Sequence, residues 1–303
     1  MSFSVQILGS GSAVPTSRRN PTSQHVHCSS RNILIDCGEG TQMQMRKYGV
    51  KFQKLDIILI SHLHGDHYFG LMGLLSTMHL LGRVKSLVIY CPVGLKEIVE
   101  IQMKHGNGRF GYDIHFNEIE PKSRQVLFED DKICIRCFPL KHKIPTHGFT
   151  ITEKQKEAKL IKSKVEKDNV LLQHYHLLKK GLDVETEEGI VLRSSDYTES
   201  APDAKVYAFC SDTAYFPDIV GDIEGVDLLY HEATFTEKYL DRARATLHST
   251  ASQAANIAAK AGVKKLLIGH FSARFDSGED HLIEARKVFS ETHLAEDGDE
   301  FRL

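Results

Sequence analysis

The 303-residue chain lacks several features that would decide its class at once. No stretch approaches the roughly 18 consecutive apolar residues that a membrane-spanning helix requires. The first residues, MSFSVQILGSGSAV, have no basic segment followed by a long apolar core. The formal net charge is only -2, which gives no overall attraction to polyanions. We therefore expect a cytoplasmic protein with no membrane partner, whose contacts with any nucleic acid would come from a local patch.

Cysteine and proline are also sparse. The six cysteines are dispersed rather than arranged as a disulfide framework, which fits a reducing compartment. Cys134 and Cys137 have the C-x-x-C spacing of some metal sites, but an offset of three on a strand directs two side chains to opposite faces. We interpret both as buried strand residues. With only eight prolines and 22 glycines, the chain is not of low complexity.

Short apolar runs that end in polar clusters recur along the chain and predict strands, for example NILIDCGEG, LDIILISHLHGDH and DLLYHEAT. Helical patterns lie between several of them, at 41–48, 71–81, 94–104 and 250–261. The last begins with a capping box of Thr250 and Gln253 and ends at Gly262. The class is therefore α/β. The segment at about 152–203 is polar and rich in lysine, which indicates an insertion or arm.

The glycine-rich segment GSGSAVP follows a predicted strand and invites a dinucleotide-binding interpretation, with Asp36 as the acid that would bind the ribose. Two residues oppose it. Val14 stands where glycine or alanine is needed, and Pro15 opens a polar segment where the required helix should continue. Without a helix N-terminus, no dipole holds a pyrophosphate. A turn between two strands is the better interpretation.

The segment HLHGDH carries the strongest chemical signal. A solvated loop with incidental histidines is the bland alternative, but neutral imidazole suits Zn²⁺, and a carboxylate lets neighbouring ions share charge. His62 and His64 are two residues apart and can bind one ion. Asp66 and His67 follow a flexible Gly65 and can turn towards a second. The segment therefore predicts a metal site.

Four clustered residues cannot complete two metal sites, so further ligands must come from other strand ends. His142 in FPLKH, Asp212 in FCSDT and His270 in LLIGH each follow an apolar run directly. Taken alone, each would more often be a hydrogen-bonded residue at the end of a strand. Taken together with HLHGDH, they become candidate ligands.

These motifs resemble the metallo-β-lactamase superfamily, and within it the ribonuclease Z family of tRNA 3′-processing endonucleases. Supporting segments run through nearly the whole chain: LGSGSAVPT, LIDCGEGTQ, ISHLHGDH, CSDT, HEATF, LHST and IGHFSARF. The resemblance implies an αββα sandwich over residues 1–303 with an inserted, protruding arm. It also implies two zinc ions per subunit, with these ligands: His62, His64 and His142 for one, Asp66, His67 and His270 for the other, and Asp212 as the bridge.

His147 competes with His142 for the ligand role, and the family pattern favours His142. Iron is the competing metal, because oxygen-reducing relatives carry glutamate where His64 stands. In the implied reaction a metal-bridging hydroxide attacks the phosphate that joins the 3′ trailer to precursor tRNA, leaving a 3′-hydroxyl on the tRNA. Asp66 is the expected proton acceptor, and His248 the candidate donor, oriented by Glu232.

The insertion would bind the substrate. Family members use an arm in this interval to clamp the tRNA, and they usually form homodimers. The resemblance therefore makes the lysines of the arm candidate tRNA-binding residues through phosphate contacts, namely Lys154, Lys156, Lys159, Lys162, Lys164, Lys167, Lys179 and Lys180. The Gly-Pro pair common in such arms is absent here. A run of charges more often marks only a solvated face.

Two other functions remain open at this point. A small-molecule hydrolase of the same fold could open a thioester or lactone with the same hydroxide and would need no arm. A non-catalytic tRNA-binding or scaffold protein with a structural metal is the alternative from another class. Structural zinc sites are closed and rich in cysteine, which this ligand set is not.

Overall fold

The computed structural model describes residues 3–106, 108–201 and 203–303. Its strands, in chain order, are β1 Ser4–Gly9, β2 Gly11–Ser12, β3 Ser23–Cys28, β4 Arg31–Ile35, β5 Ile57–Leu59, β6 Leu87–Pro92, β7 Ile114–Ile119, β8 Gln125–Glu129, β9 Ile133–Leu140, β10 Thr146–Glu153, β11 Lys159–Leu160, β12 Val184–Glu185, β13 Val191–Leu192, β14 Thr198–Glu199, β15 Val206–Cys210, β16 Leu228–Glu232, β17 Leu266–Gly269, β18 Phe271–Ser272, β19 Thr292–Leu294 and β20 Glu300–Arg302.

The α-helices are α1 Thr41–Lys47, α2 Gly65–Tyr68, α3 Leu71–Leu80, α4 Leu95–His105, α5 Lys162–Lys167, α6 Leu172–Lys179, α7 Ser194–Tyr197, α8 Leu240–Thr246, α9 Ala251–Ala261 and α10 Glu279–Arg286. Short 3₁₀ helices cover Phe52–Lys54, Pro217–Asp222 and Glu237–Tyr239. The four helices predicted from the sequence are confirmed to within a residue or two. The capping box of Thr250 and Gln253 is present at the start of α9.

The chain forms two compact units. The first comprises the described residues up to Thr152 together with Lys205–Leu303, and it contains two seven-stranded sheets. Their strand orders are β20-β1-β3-β4-β5-β6-β7 and β19-β17-β16-β15-β10-β9-β8. The strands of the first sheet run parallel from β4 to β7, and those of the second run parallel from β15 through β16 and β17 to β19.

Both faces of the central strands are buried, and the alternation of side chains shows where the layers lie. On β4, Ile33 and Ile35 enter the core between the sheets, while Leu34 packs in the core that contains residues of α1, α3 and α4. On β16, Leu228 enters the inter-sheet core, and Leu229 packs in the core that contains residues of α9 and α10. Because successive side chains of a strand point to opposite faces, this pattern requires helices outside both sheets. The result is an αββα sandwich.

Several strands of the two large sheets were not predicted, namely β3, β7, β8, β10, β19 and β20. In β3 the half-buried His25 and His27 alternate with buried Gln24, Val26 and Cys28, so the run does not read as apolar. The strand predicted at Leu55–Ser61 is confirmed at Ile57–Leu59, and it is shorter than expected.

The second unit is Glu153–Ala204. It contains two small antiparallel pairs, β11 with β14 and β12 with β13, and the helices α5, α6 and α7. A small apolar core holds it together, formed by Val165, Val170, Leu178, Val184 and Leu192. This unit occupies the interval in which the sequence predicts an insertion.

Candidate metal centre

The segment after β5 delivers four of the predicted site residues. His62 is fully buried and follows the strand, and His64 precedes the helical turn α2, which carries Asp66 and His67. Gly65, which the sequence analysis expects to be flexible, is the first residue of that turn. A side chain there would collide with the Phe69 ring. The turn fixes the directions of Asp66 and His67.

Close backbone packing holds this turn against the segment after β4. Cys37 donates its N–H to His67 O at 2.7 Å, and Gly70 donates to Cys37 O at 2.9 Å. A Cβ at Gly38 would lie 2.4 Å from Asp66 O, and one at Gly70 would lie 2.1 Å from Gly38 O. Both positions therefore require glycine, since any side chain would push the metal-binding turn away from the sheet.

The remaining candidate ligands arrive from the second sheet. His142 follows β9, Asp212 follows β15 and His270 follows β17. The carboxyl ends of neighbouring parallel strands lie at one edge of a sheet, so Asp212 and His270 meet there. His270 has φ +60, a left-handed conformation that is uncommon for a residue with a side chain.

Asp212 lies between two groups of histidines and presents one oxygen to each. Its Oδ2 is 3.5 Å from His62 Nε2 and 3.8 Å from His142 Nε2. Its Oδ1 is 3.5 Å from His67 Nε2 and 3.2 Å from His270 Nε2. The carboxylate therefore faces both groups of histidines at once.

Two sets of converging donors result, and in each the donor atoms lie within 4.8 Å of one another. One consists of His62, His64, His142 and Asp212. The other consists of Asp66, His67 and His270, with Asp66 Oδ2 at 3.5 Å from Nε2 of both histidines. A third combination of Asp212 and His270 includes His248. The structure therefore brings together all seven predicted metal ligands.

The donor atoms fit a metal because several have no other partner. Among the buried polar atoms without a hydrogen bond are His67 Nε2, His270 Nε2 and Asp212 Oδ1, and all three point into the second set. Buried polar atoms normally find partners, so unpaired ones that converge on one point fit a site built to bind a cation. Burial lowers the pKa of His62 to about 3 and also lowers the pKa of His64 and His142, which keeps them neutral and able to donate a lone pair.

The histidine that competes with His142 points elsewhere. His147 is fully buried, its Nε2 lies 3.3 Å from Glu120 O, and it belongs to none of the three donor combinations. The Nδ1 of His142, in contrast, donates to Leu247 O at 2.9 Å, which leaves Nε2 directed at Asp212.

Asp36 supports the ligands from beneath. Its Oδ2 accepts a hydrogen bond from His67 Nδ1 at 2.7 Å, and its Oδ1 accepts one from Ser61 N at 2.7 Å. The Ser61 hydroxyl also contacts His62 Nδ1 at 3.0 Å. Such contacts orient an imidazole and fix which of its nitrogens faces the metal. Asp36 therefore acts on the metal centre and has no dinucleotide to bind.

The glycine-rich turn near the start of the chain also serves the site. Ala13 has φ +59, and its N–H donates to Asp66 Oδ2 at 2.8 Å. No helix follows GSGSAVP, which confirms that a dinucleotide fingerprint is absent there.

Glu232 and His248 form a second buried polar pair at the edge of the centre. His248 Nδ1 lies 2.9 Å from Glu232 Oε1, and its Nε2 is directed towards Asp212 Oδ2 at 3.9 Å. Burial would lower the pKa of His248, but the carboxylates of Glu232 and Asp212 outweigh it and raise the pKa to about 9. Thr250 is the N-cap of α9, so His248 is not a capping residue. The two carboxylates therefore favour the protonated imidazole, the form that can donate a proton.

Thr234 connects this pair to the metal ligands. Its hydroxyl donates to Glu232 Oε2 at 2.8 Å and contacts His270 Nδ1 at 2.9 Å. The Glu232 carboxylate thus orients His248 directly and His270 through one hydroxyl.

The centre opens into a cleft of about 510 Å³. His64, Asp66, His142, Asp212 and His248 line it, and Phe69 forms part of its wall; the remaining lining residues are Ser12, Ala13, Pro15, Pro21, Glu39, Gly65, Lys143 and Thr246. A phosphodiester can therefore reach both donor sets and His248 from solvent.

The predicted tRNA-binding lysines differ in exposure, and two of them form ion pairs with nearby glutamates. Lys156 forms an ion pair with Glu153 at 2.6 Å, and Lys162 forms one with Glu166 at 3.6 Å. Lys159, Lys164, Lys167 and Lys180 are exposed, and Lys154 and Lys179 are half-buried. The structure places all eight in the second unit.

Curated proteins named ribonuclease Z resemble the chain over nearly its whole length. The ribonuclease Z of Bacteroides fragilis is 45% identical over 295 residues, covering 97% of each chain. That of Parabacteroides distasonis is 46% identical over 296 residues, covering 98% of this chain and 97% of its own. The chain belongs to the ribonuclease Z family. As a member of that family it is a hydrolytic endoribonuclease, which confirms the predicted enzyme class.

Solved structures agree on the fold. Human tRNase Z, short form, superposes with a TM-score of 0.72 at 26% identity, covering 98% of both chains. The metallo-β-lactamase fold protein YhfI from Bacillus subtilis superposes with a TM-score of 0.70 at 18% identity, covering 99% of both. The predicted metallo-β-lactamase sandwich is confirmed. Together with the histidine and aspartate groups, this fold indicates that the ribonuclease Z-type chain binds metal.

A family model described as Anti-Pycsar protein Apyc1 matches residues 3–176, more than half of the chain, so the ribonuclease Z-type chain also falls within that family. The match includes HLHGDH and His142, whereas Asp212, Glu232, His248 and His270 lie outside it. The full-length similarity to ribonuclease Z covers both groups.

Sequence reasoning missed the residues that support the ligands, namely Asp36, Ser61, Thr234 and Ala13. Asp36 and Ser61 each lie just beyond one of two neighbouring parallel strands, β4 and β5. The order of the strands in the sheet, which the sequence does not show, was needed to find them, because residues that follow two paired parallel strands lie close together.

Proposed function

We propose that this protein is a zinc-dependent tRNA 3′-processing endoribonuclease. It would remove the 3′ trailer from precursor tRNA and leave a 3′-hydroxyl on the tRNA. The observation that carries the proposal is Asp212, which presents one oxygen to each of two donor sets beside an open cleft. Family membership supplies the substrate, since relatives at 45–46% identity are named ribonuclease Z.

Two zinc ions per subunit suit the donors. His62, His64 and His142 would hold one ion, Asp66, His67 and His270 the other, and Asp212 would bridge them. Imidazole nitrogens with a few carboxylates are typical zinc ligands, and histidine at position 64 favours zinc over iron. When bound, the ions would make hydroxide available from water near neutral pH and offset the negative charge of the phosphate.

The residues of the chain then move two protons. Hydrolysis forms a bond between a water oxygen and phosphorus and breaks the bond between phosphorus and the 3′ oxygen of the tRNA. Burial raises the pKa of Asp66, but His67 and His270 outweigh it and hold the pKa below its usual range. Asp66 is therefore ionised and can accept the proton from water, while protonated His248 gives one to the departing 3′ oxygen.

Cleavage of a precursor tRNA that carries a 3′ trailer tests the function. We expect the wild-type protein, loaded with zinc, to release the intact trailer, and Asp66→Ala to reduce the rate at least about 10³-fold because a ligand and the proton acceptor are lost together. Product sizes on a denaturing gel and the rate of trailer release are the measurements.

The matched control is Asp218→Ala, which removes an exposed carboxylate outside the site and should leave the rate unchanged. Failure of the wild-type protein to cleave the precursor at moderate salt would overturn the nuclease function. Cleavage that survives Asp66→Ala would overturn the proposed roles of Asp66.

We also propose that the lysines of the second unit bind the tRNA backbone. Between Lys154 and Lys180 the sequence has eight lysines and three acidic residues, whereas 181–204 has seven acidic residues and one arginine. The positive charge is therefore confined to the first half of the unit. Phosphate contacts made by lysine weaken steeply as salt rises.

Replacing Lys159, Lys164 and Lys167 with alanine should raise KM for precursor tRNA about tenfold or more and flatten its salt dependence, since each lost phosphate contact removes nearly one unit from the slope. These lysines are exposed and have no ion pair among the described residues. Lys162→Ala is the control, because Lys162 is paired with Glu166. An unchanged salt slope in the triple variant would contradict tRNA binding by these lysines.

The assembly and location are proposed on separate grounds. Exposed apolar side chains on α1, on α3 and just after α3, including Met43, Leu80 and Val84, would be covered in a homodimer. Light scattering distinguishes this dimer from a monomer of 34.1 kDa. All six cysteines lie in the described residues and none forms a disulfide bond there, which supports the reducing cytoplasm. In the described part of the chain, no helix has the length and apolar character needed to span a membrane.

A further inference from the structure

A second cavity of about 360 Å³ adjoins the catalytic cleft at His248. The two share Ser12, Ala13, Thr246 and His248 as lining residues, so they form one continuous concave surface. The second cavity continues beyond His248 on the side away from His64 and His142, which line only the first. Nothing in the proton transfers described above uses this space.

Two arginines give the second cavity its charge. Arg242 lies on α8 and Arg274 follows β18, and both side chains line the cavity and are exposed. Neither forms an ion pair with a carboxylate in the parts of the chain that the structure describes. Arg19, in contrast, is buried and paired with Glu296 at 2.8 Å. The two arginines therefore present unneutralised positive charge to whatever enters the cavity.

Arg274 is also held in position. Its guanidinium lies 5.7 Å from the ring centre of Phe235 and 5.6 Å from that of Tyr239. Contact with two aromatic rings restrains a long side chain, so less entropy is lost when it binds an anion. Phe235 itself is buried and, with Val14, lines an apolar part of the same cavity. Phosphate-binding charge beside an apolar wall suits a nucleotide, and the volume lies in the range of small-ligand sites.

The direction of the RNA follows from the proton donor. In the proposed function His248 faces the departing 3′ oxygen, because its Nε2 points into the cleft towards Asp212, and that oxygen belongs to the last nucleotide of the tRNA. The cavity beyond His248 is therefore on the leaving-group side of the scissile phosphate, whereas the trailer extends in the opposite direction. We propose that this cavity binds the last nucleotide of the tRNA and that Arg242 and Arg274 bind the phosphate on its 5′ side. The proposal rests on the proposed function.

The first experiment compares the zinc-loaded double variant R242A/R274A with the wild-type protein. We expect kcat/KM for precursor tRNA to fall about 10- to 100-fold, because two charge-assisted phosphate contacts are lost. Hydrolysis of bis(p-nitrophenyl) phosphate, which has no nucleotide to fill the cavity, should stay unchanged. R244A is the matched control, because Arg244 lies on the same helix but pairs with Asp241 and does not line the cavity. An equal loss on both substrates would overturn the proposal.

The second experiment locates the phosphate. A neutral methylphosphonate is placed either on the 5′ side of the last tRNA nucleotide or on the 3′ side of the first trailer nucleotide, and each substrate is tested with the wild-type protein and with R242A/R274A. We expect the tRNA-side substitution to slow the wild-type protein and to have little further effect on the variant, while the trailer-side effect is the same in both proteins. The reverse pattern would place the trailer in the cavity and overturn the proposal.

The proposal would also be overturned if, at both positions, the effect of the methylphosphonate simply added to that of R242A/R274A, since the arginines would then contact neither phosphate. Failure of the proposed function gives a different result, because the wild-type protein would not cleave even the unmodified precursor.

Discussion

Asp212→Ala should abolish cleavage of precursor tRNA, with a loss of at least about 10³-fold, and should reduce the bound metal from two ions per chain to one or fewer. Asp212 is the only residue in the described structure whose carboxylate faces both donor sets, with Oδ2 near His62 and Oδ1 near His270. In the proposed two-zinc site, its removal would leave two closely spaced cations without a shared anion between them. Metal analysis of the purified protein and the rate of trailer release measure the two effects.

The control for this prediction lies on the same connection after β15. Asp218→Ala removes an exposed carboxylate six residues further along the chain and should leave both the metal content and the rate at wild-type values. If Asp212→Ala retained two ions and a near wild-type rate, Asp212 would not be the bridge.

Histidine and aspartate residues that directly follow an apolar run could be predicted as site residues from the sequence. His62, His64, Asp66 and His67 form a dense segment, and Asp212 and His270 each follow a run whose strand is confirmed. The pairing of these residues in space could not be derived from the runs themselves. It was predicted by resemblance to a family, and the structure shows part of its physical basis: Asp212 and His270 follow parallel strands of one sheet, whose carboxyl ends lie at the same edge.

The supporting residues lacked such a signal. From the sequence alone, Asp36 could be taken for an acid that binds a ribose, because a glycine-rich turn precedes it. The structure does not support that role for Asp36. Its actual contact with His67 depends on β4 lying beside β5, and Ala13 reaches Asp66 only through a left-handed turn. Strand order and backbone conformation are properties of the assembled sheet, and local patterns do not contain them.

The charge of the second unit shows a related limit. The lysines stand out in the sequence, yet some of them are neutralised by acidic neighbours three or four residues away, as with Lys156 and Glu153 and with Lys162 and Glu166. A count of charges therefore overstates the positive surface available to a polyanion.

We expect Glu232 to contribute both to the stability of the fold and to the rate of cleavage. Its carboxylate is fully buried and accepts five hydrogen bonds, from Thr213 N, Ser249 N and His248 Nδ1 at Oε1 and from the N–H and hydroxyl of Thr234 at Oε2. Burial alone would raise its pKa, but the interaction with His248 outweighs burial and lowers it. The buried charge is tolerated because every donor around it points inwards.

Glu232→Ala should therefore destabilise the fold by about 3 kcal/mol, because five donors lose their acceptor, and should slow cleavage about 10²- to 10⁴-fold, because His248 loses its orientation. His248→Ala is the matched comparison: it removes one of the five donors and leaves the other four, so we expect a similar loss of rate with a smaller destabilisation of about 1.5 kcal/mol. Urea unfolding of the zinc-loaded proteins and the rate of trailer release measure the two effects. Equal destabilisation by both substitutions would show that His248, and not the buried carboxylate, holds this network together. A wild-type rate in His248→Ala would contradict the proposed role of His248 as proton donor and, with it, the role of Glu232 in orienting His248.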